Sequence, residues 1–305
     1  MRFYLPILLI GLIMIGSQSD CHRTEPMDRK WQLVSSGFHF PEGPAWDGKG
    51  TLYVSNCYGD WLATVKRGQL DTLVFASDST FKRTNGLAVA PDGDIVACDF
   101  GSGSIVKITP SGKCRVLISG YQNQPFHRPN DLIFDEHGNL YFTDPNSYGP
   151  DRLDGRLFFF RMRDGSLQLA ADSLAFPNGL AISPLDGKLY VCESAKSQIS
   201  RFRRSTEGFL TEKETFIQLP GGDPDGIEFD RAGNLYVAHF GGGMVYVVSS
   251  NGTIIDRIAT PGNKPTNLEF GGDDLKTLYL TEVETNSLYQ LQMHYPGFKI
   301  LTQKN

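Results

Sequence analysis

Cysteine is scarce in this chain and odd in number: Cys21, Cys57, Cys98, Cys114 and Cys192 are the five among 305 residues, and no two are spaced as CxxC. That excludes a disulfide framework, which a chain of this length does not need to build a core. Cys98 and Cys192 fall inside apolar runs and read as small strand residues. Positive charge is thin too. The 29 Lys and Arg against 34 Asp and Glu leave a net charge of −5. They form no stripe, so no nucleic-acid face built on phosphate neutralisation is expected. There is no GxSxG, and hence no serine nucleophile elbow to assemble.

Long apolar runs are missing except at the start, where Arg2 precedes the thirteen uncharged residues Phe3 to Ile15. Such a run is short for a membrane span, and Ser17 and Ser19 supply small residues at cleavage-compatible positions. Residues 1–20 therefore read as an export signal cut near Ser19. That implies a periplasmic or secreted protein with no membrane span in the mature chain. Two rival readings exist. Cys21 could be the lipid-modified first residue of a lipoprotein, although Asp20 stands where a lipobox has a small residue, and the segment could remain as an uncleaved anchor.

Turn residues, by contrast, are plentiful. With 33 Gly and 17 Pro between short segments rich in Val, Ile, Leu, Tyr and Phe, the chain reads as all-β. One pattern recurs from Pro41 to the C-terminus: a polar residue, a short apolar strand, a Gly turn, then a strand of the form x-L-Y-V-x-x. Its copies begin PEGPAWD, TNGLAVA, PNDLIFD, PNGLAIS, PDGIEFD and PTNLEFG. The polar column is Glu42, Asn85, Asn130, Asn178, Asp225 and Thr266, at spacings of 43, 45, 48, 47 and 41. Those are the lengths of propeller blades, which cannot bury their faces singly and so close into a ring. A six-bladed β-propeller over residues 30–305 is the expected architecture. Trp31–Ser36 has no blade of its own ahead of it and is expected to complete the last one, which would remove an exposed edge. The tail from Phe298 is expected either as an added edge strand or loose.

In a propeller, the loops into the innermost strands open at one end of the channel, so six equivalent residues converge on one axis. Two carboxylates and three amides in that column are an oxygen-only donor set. Such a set suits one divalent cation, calcium best, with zinc, magnesium and manganese as alternatives. Asn or Asp before Gly is also ordinary turn chemistry, but Glu42 has no such talent and shares the register. A second column closes the second strands: Asn56, Asp99, Asp144, Glu193, His239 and Glu282. It can face the channel or bond neighbouring loops, and His239 can be a proton shuttle or a buried core histidine.

Pro41-Glu42-Gly43-Pro44-Ala45-Trp46, Arg128-Pro129-Asn130-Asp131, Leu140-Tyr141-Phe142-Thr143-Asp144-Pro145, Pro177-Asn178-Gly179-Leu180 and Pro224-Asp225-Gly226 carry a family likeness. The chain resembles the regucalcin (senescence marker protein 30)/gluconolactonase/LRE family from about Phe40 onward. The resemblance implies a divalent cation bound through Glu42, Asn130, Asn178 and Asp225, with Arg128 and Asn130 meeting sugar hydroxyls. Asn85 and Thr266 would then only line the site. The expected activity is metal-dependent opening of a sugar lactone, a small-molecule substrate, with Asp225 as catalytic base. Rival readings are a phosphotriesterase-like hydrolase using the same ligands, in which Asp225 attacks phosphorus, and a non-catalytic propeller with a structural metal. A strictosidine-synthase-like lyase would not require this donor set. Tyr121 to His127 and Asn146 to Gly155 are long enough to act as lids.

Overall fold

The computed structural model describes Met1 and residues 29–300. The expected signal segment and Cys21 lie outside the described residues. The fold is all-β, with six four-stranded antiparallel sheets arranged as blades. The innermost strands are Pro41–Trp46, Thr84–Val89, Leu132–Phe134, Pro177–Ile182, Asp223–Phe229 and Pro265–Gly271, numbered here as blades 1 to 6. Each is followed outward by the L-Y-V-type second strand. Blades 1 to 5 run inner to outer in chain order. In blade 6 the outermost strand is Gln32–Ser36, paired antiparallel to Ser287–Gln292 with Gln32 opposite Gln290. Among the described residues no helix is long and apolar enough to cross a membrane.

The blades are held by apolar layers between neighbouring sheets. Val96, Cys98 and Ile105 of blade 2 pack with Leu140, Phe142 and Phe158 of blade 3 in one such cluster. Second strands such as Leu140–Asp144 and Leu189–Glu193 are buried throughout because both faces meet a neighbour. Cys98 and Cys192 are fully buried in these layers, and all four described cysteines are free.

Two local devices bring the polar column to the axis. The inner-strand ladders shift register beside the key residue in five blades, between Glu42 and Ala45, Thr84 and Leu87, Pro177 and Leu180, Pro224 and Ile227, and Pro265 and Asn267. A bulge of this kind bends the strand and re-aims a side chain. The Gly after the key residue then permits close approach. A Cβ on Gly43 would lie 2.3 Å from the Asn85 carbonyl oxygen, and one on Gly179 would lie 2.3 Å from that of Asp225. The Asn-Gly and Asp-Gly pairs are therefore strand elements packed against the next blade, not turns.

The C-terminal segment is neither loose nor at an outer edge up to residue 300. It lies against the inner strands at the far end of the channel, where Gly297 bridges Asp230 and the Phe298 N–H donates to the Phe229 carbonyl at 2.8 Å. Lys299 pairs there with the buried Glu269.

Candidate functional site

Two cavities mark the channel. The larger, about 850 Å³, opens at the far end and is lined mainly by the ends of the inner strands and by the C-terminal segment. The smaller, about 260 Å³, is at the end where the inner strands begin, and the polar column converges on it. The concentration of column side chains there, rather than size, makes the smaller cavity the candidate site.

Glu42, Asn85, Asn130, Asn178 and Asp225 all line this mouth, as does Arg128, whose side chain is exposed. Thr266 does not. It is fully buried and turns away, its hydroxyl donating to the Pro41 carbonyl at 3.0 Å, so it ties blade 6 to blade 1. Of the two expected lids, only the second contributes to the mouth, through Tyr148. Tyr121 to His127 lies elsewhere, with Phe126 sunk into the layer between blades 2 and 3.

The electrostatics at the axis are unfavourable to the bare carboxylates. Glu42 is 4% exposed, and burial, with the charge of Asp131 second, pushes its carboxyl up to about 8. Burial also raises Asp225 well above the carboxylate range, reinforced by Glu42 and Asp131, while a hydrogen bond from Asn178 opposes the rise. Asp131, likewise buried, is pushed up to about 7. Asn267 donates through Nδ2 to Asp131 at 3.5 Å, and its amide also opposes the rise at Glu42. Clustered carboxylates starved of water are stabilised by a cation between them. Among the described residues no three His, Cys, Asp or Glu side chains form a ligand group. Any ion at the mouth would draw on two carboxylates and on amide oxygens, an all-oxygen set that fits a hard divalent cation.

Asp131 and Asn267 were missed from sequence. Their signal was present: the residue after the key position reads Gly43, Gly86, Asp131, Gly179, Gly226 and Asn267, and the two that are not Gly are the two that add polar groups to the axis. Around the mouth stand Phe40, Tyr58, Phe100, Phe176 and Phe240. The Tyr58 ring meets Phe40 edge-on at 5.0 Å and carries Arg83 over its face at 5.5 Å. Tyr148 meets Phe176 edge-on at 5.3 Å, and its hydroxyl donates to Asp223 Oδ2 at 2.8 Å.

The second polar column does not face the channel as a catalytic ring. Five of its members accept a backbone N–H from the segment that approaches the key residue of their own blade: Asn56 from His39, Asp99 from Arg83, Asp144 from Arg128, Glu193 from Ala175 and Glu282 from Lys264, at 2.5–3.0 Å. Each donor lies two or three residues ahead of its key residue, so the column braces the loops that present the site. His239 is the exception. It is fully buried, neither ring nitrogen has a partner among the described residues, and burial lowers its pKa to about 4.

The fold and this mouth define a six-bladed propeller with an axial oxygen-donor site. The chain belongs to the SMP-30/gluconolactonase/LRE-like family, whose model matches residues 40–284. It is 32% identical over 284 residues to a gluconolactonase of Zymomonas mobilis, covering 82% of this chain and 78% of that protein. It is 29% identical over 259 residues to the pentonolactonase XacC of Haloferax volcanii, covering 82% and 84%. A solved gluconolactonase from Xanthomonas campestris superposes with a TM-score of 0.77 at 28% identity, covering 88% of this chain and 90% of that one.

Proposed function

We propose that the protein hydrolyses a sugar lactone at the mouth lined by Glu42, Asn130, Asn178 and Asp225. The observation that carries this reading is the convergence of two buried carboxylates and two amides on one small cavity, in a chain similar over most of its length to sugar lactonases. A divalent cation held by those four side chains, calcium being the best match to their oxygens, would supply Lewis-acid polarisation of the lactone carbonyl.

The chain's own groups account for the rest. Arg128 and Asn130 hold the sugar hydroxyls, and the aromatic collar covers the apolar face of the ring and thins the water around it. Water adds to the carbonyl carbon while Asp225 accepts one of its protons. The ring C–O bond then breaks and the departing alkoxide takes a proton back, leaving the open sugar acid. No covalent acyl intermediate is needed.

The pairing of Gln32–Ser36 into blade 6 supports reading that strand as the clasp of the ring, and the propeller as one domain over residues 30–305. The apolar run Phe3 to Ile15 supports an export signal over residues 1–20, and with it a periplasmic or secreted setting.

The test is hydrolysis of glucono-1,5-lactone followed by proton release, in metal-stripped protein with calcium or zinc added back. Metal-dependent turnover lost in Asp225→Ala is the expected result. A tightly bound cation without turnover on any lactone or phosphotriester would overturn the assignment in favour of a binding propeller.

A further inference from the structure

Six copies of one loop allow an internal comparison. In blades 1, 2, 3, 4 and 6, an acid or amide closing the second strand reaches up and takes a backbone N–H from the segment approaching the key residue. The brace fixes the height and direction at which that residue meets the axis. Blade 5 lacks it among the described residues. His239 occupies the bracing position, its Cα opposite Pro224 in the ladder, and its ring bonds to nothing among the described residues. The ring is instead packed edge-on against Tyr246 at 4.9 Å and under glycines. A Cβ on Gly222 would lie 3.0 Å from the imidazole, and one on Gly242 would lie 2.2 Å from it.

The segment this leaves unbraced is Gly221-Gly222-Asp223-Pro224-Asp225. Two successive glycines with positive φ widen the conformations open to its start, and it presents one of the two carboxylates at the mouth. It is still held by the ladder pairing of Asp223 with Phe240 and Pro224 with His239, by the Ser194 hydroxyl donating to the Pro224 carbonyl at 2.7 Å, and, at the Asp223 side chain, by a contact from outside the blade. Tyr148, on the loop after the second strand of blade 3, reaches past Phe176 of blade 4 and donates its hydroxyl to Asp223 at 2.8 Å. That loop is itself stiffened where Asp154 accepts from the Asn146 amide at 3.1 Å and the Ser147 N–H at 3.0 Å.

We infer that Tyr148 is a positioning residue for Asp225: its hydroxyl, bonded to Asp223, replaces from above the brace that the buried second-strand acid or amide supplies from below in the other five blades. The inference deepens the proposed function, because Asp225 matters only if the mouth is the reaction site.

Three variants test it in the full chain: Tyr148→Phe, which removes only the hydroxyl, His239→Glu, which installs the brace of blades 4 and 6, and the two together. Amide exchange across residues 221–226, followed by mass spectrometry on metal-free protein, reads the restraint without any turnover. Tyr148→Phe should accelerate that exchange by about tenfold relative to the rest of the propeller. On glucono-1,5-lactone it should lower kcat by about tenfold with KM changed less than ~twofold. The double variant should recover both. Unchanged exchange in Tyr148→Phe overturns the inference, and so does faster exchange with unchanged kcat. If the wild type opens no lactone, the functional reading fails on its own. Calcium titration then decides, since a misplaced Asp225 carboxylate must weaken cation binding and equal affinity in Tyr148→Phe overturns the positioning role.

Discussion

Asp144 Oδ1 accepts the backbone N–H of Arg128 at 2.8 Å, two residues ahead of Asn130, while Oδ2 receives the Arg156 guanidinium at 2.6 Å. One fully buried carboxylate thus fixes the segment that carries both proposed sugar-binding residues. Replacing it with Leu leaves a backbone N–H and a guanidinium without their acceptor, at a cost of about 3 kcal/mol. Urea unfolding should register that loss, and the KM for lactone should rise in Asp144→Asn, which keeps one acceptor. Wild-type stability in Asp144→Leu would show that the brace is idle.

Among the column residues, charge should decide cation affinity. Glu42→Gln removes one of two carboxylates and should weaken calcium binding by about tenfold or more, whereas Asn85→Ala should change it less than ~threefold. Isothermal titration of each variant checks this, and equal affinity in wild type and Glu42→Gln would remove Glu42 from the ligand set.

The same carboxylates set a pH dependence. Glu42 is pushed up to about 8 and Asp131 to about 7, so between their unfolded values and these the folded metal-free protein binds more protons than the unfolded chain. Its stability should therefore fall as pH rises through that interval. His239 works oppositely at the acid end. With its pKa lowered to about 4, its contribution is present above the ordinary value of about 6.5 and is lost as pH falls toward 4. Thermal melts of stripped protein should show Tm declining from about pH 6.5 to 8, and saturating calcium should flatten or reverse the slope, since cation binding favours the ionised ligands. A Tm rising with pH in the stripped protein would contradict the carboxylate assignment.

At the far end, Lys299 faces Glu269 directly and Glu228 at longer range. Lys299→Met should destabilise the protein by about 1–3 kcal/mol, because Glu269 is left buried without a counter-ion. Adding Glu269→Gln should recover part of that. Equal melting temperatures for wild type and Lys299→Met would show that the pairing contributes nothing.

Blade number, blade length and the register of both polar columns were legible in the sequence, because repetition lets six weak signals reinforce one another. Orientation was less so. Thr266 shares the register of Glu42 but turns its hydroxyl to Pro41, since at a bulge the local backbone decides where a side chain points. For the second column the sequence leaves two readings, facing the channel or bonding neighbouring loops, and five members do the latter; their partners are backbone N–H groups whose positions no residue type announces. Tyr148 meets Asp223 across 75 residues of chain, a pairing with no local signature. The tail reads as an edge strand or loose in sequence, yet up to residue 300 it lies against the inner strands, because only the closed ring creates the surface that Phe298 covers.

Blade 6 is assembled from both extremities of the propeller, its outer strand Gln32–Ser36 meeting Ser287–Gln292, with the paired Gln32 and Gln290 258 positions apart. Pairings of such sequence separation carry a larger loop-closure cost than those within the other blades. That sheet therefore lacks its outer pairing until Gln290 has been made. Deletions at either extremity should then fail in the same way, as damage to a single sheet.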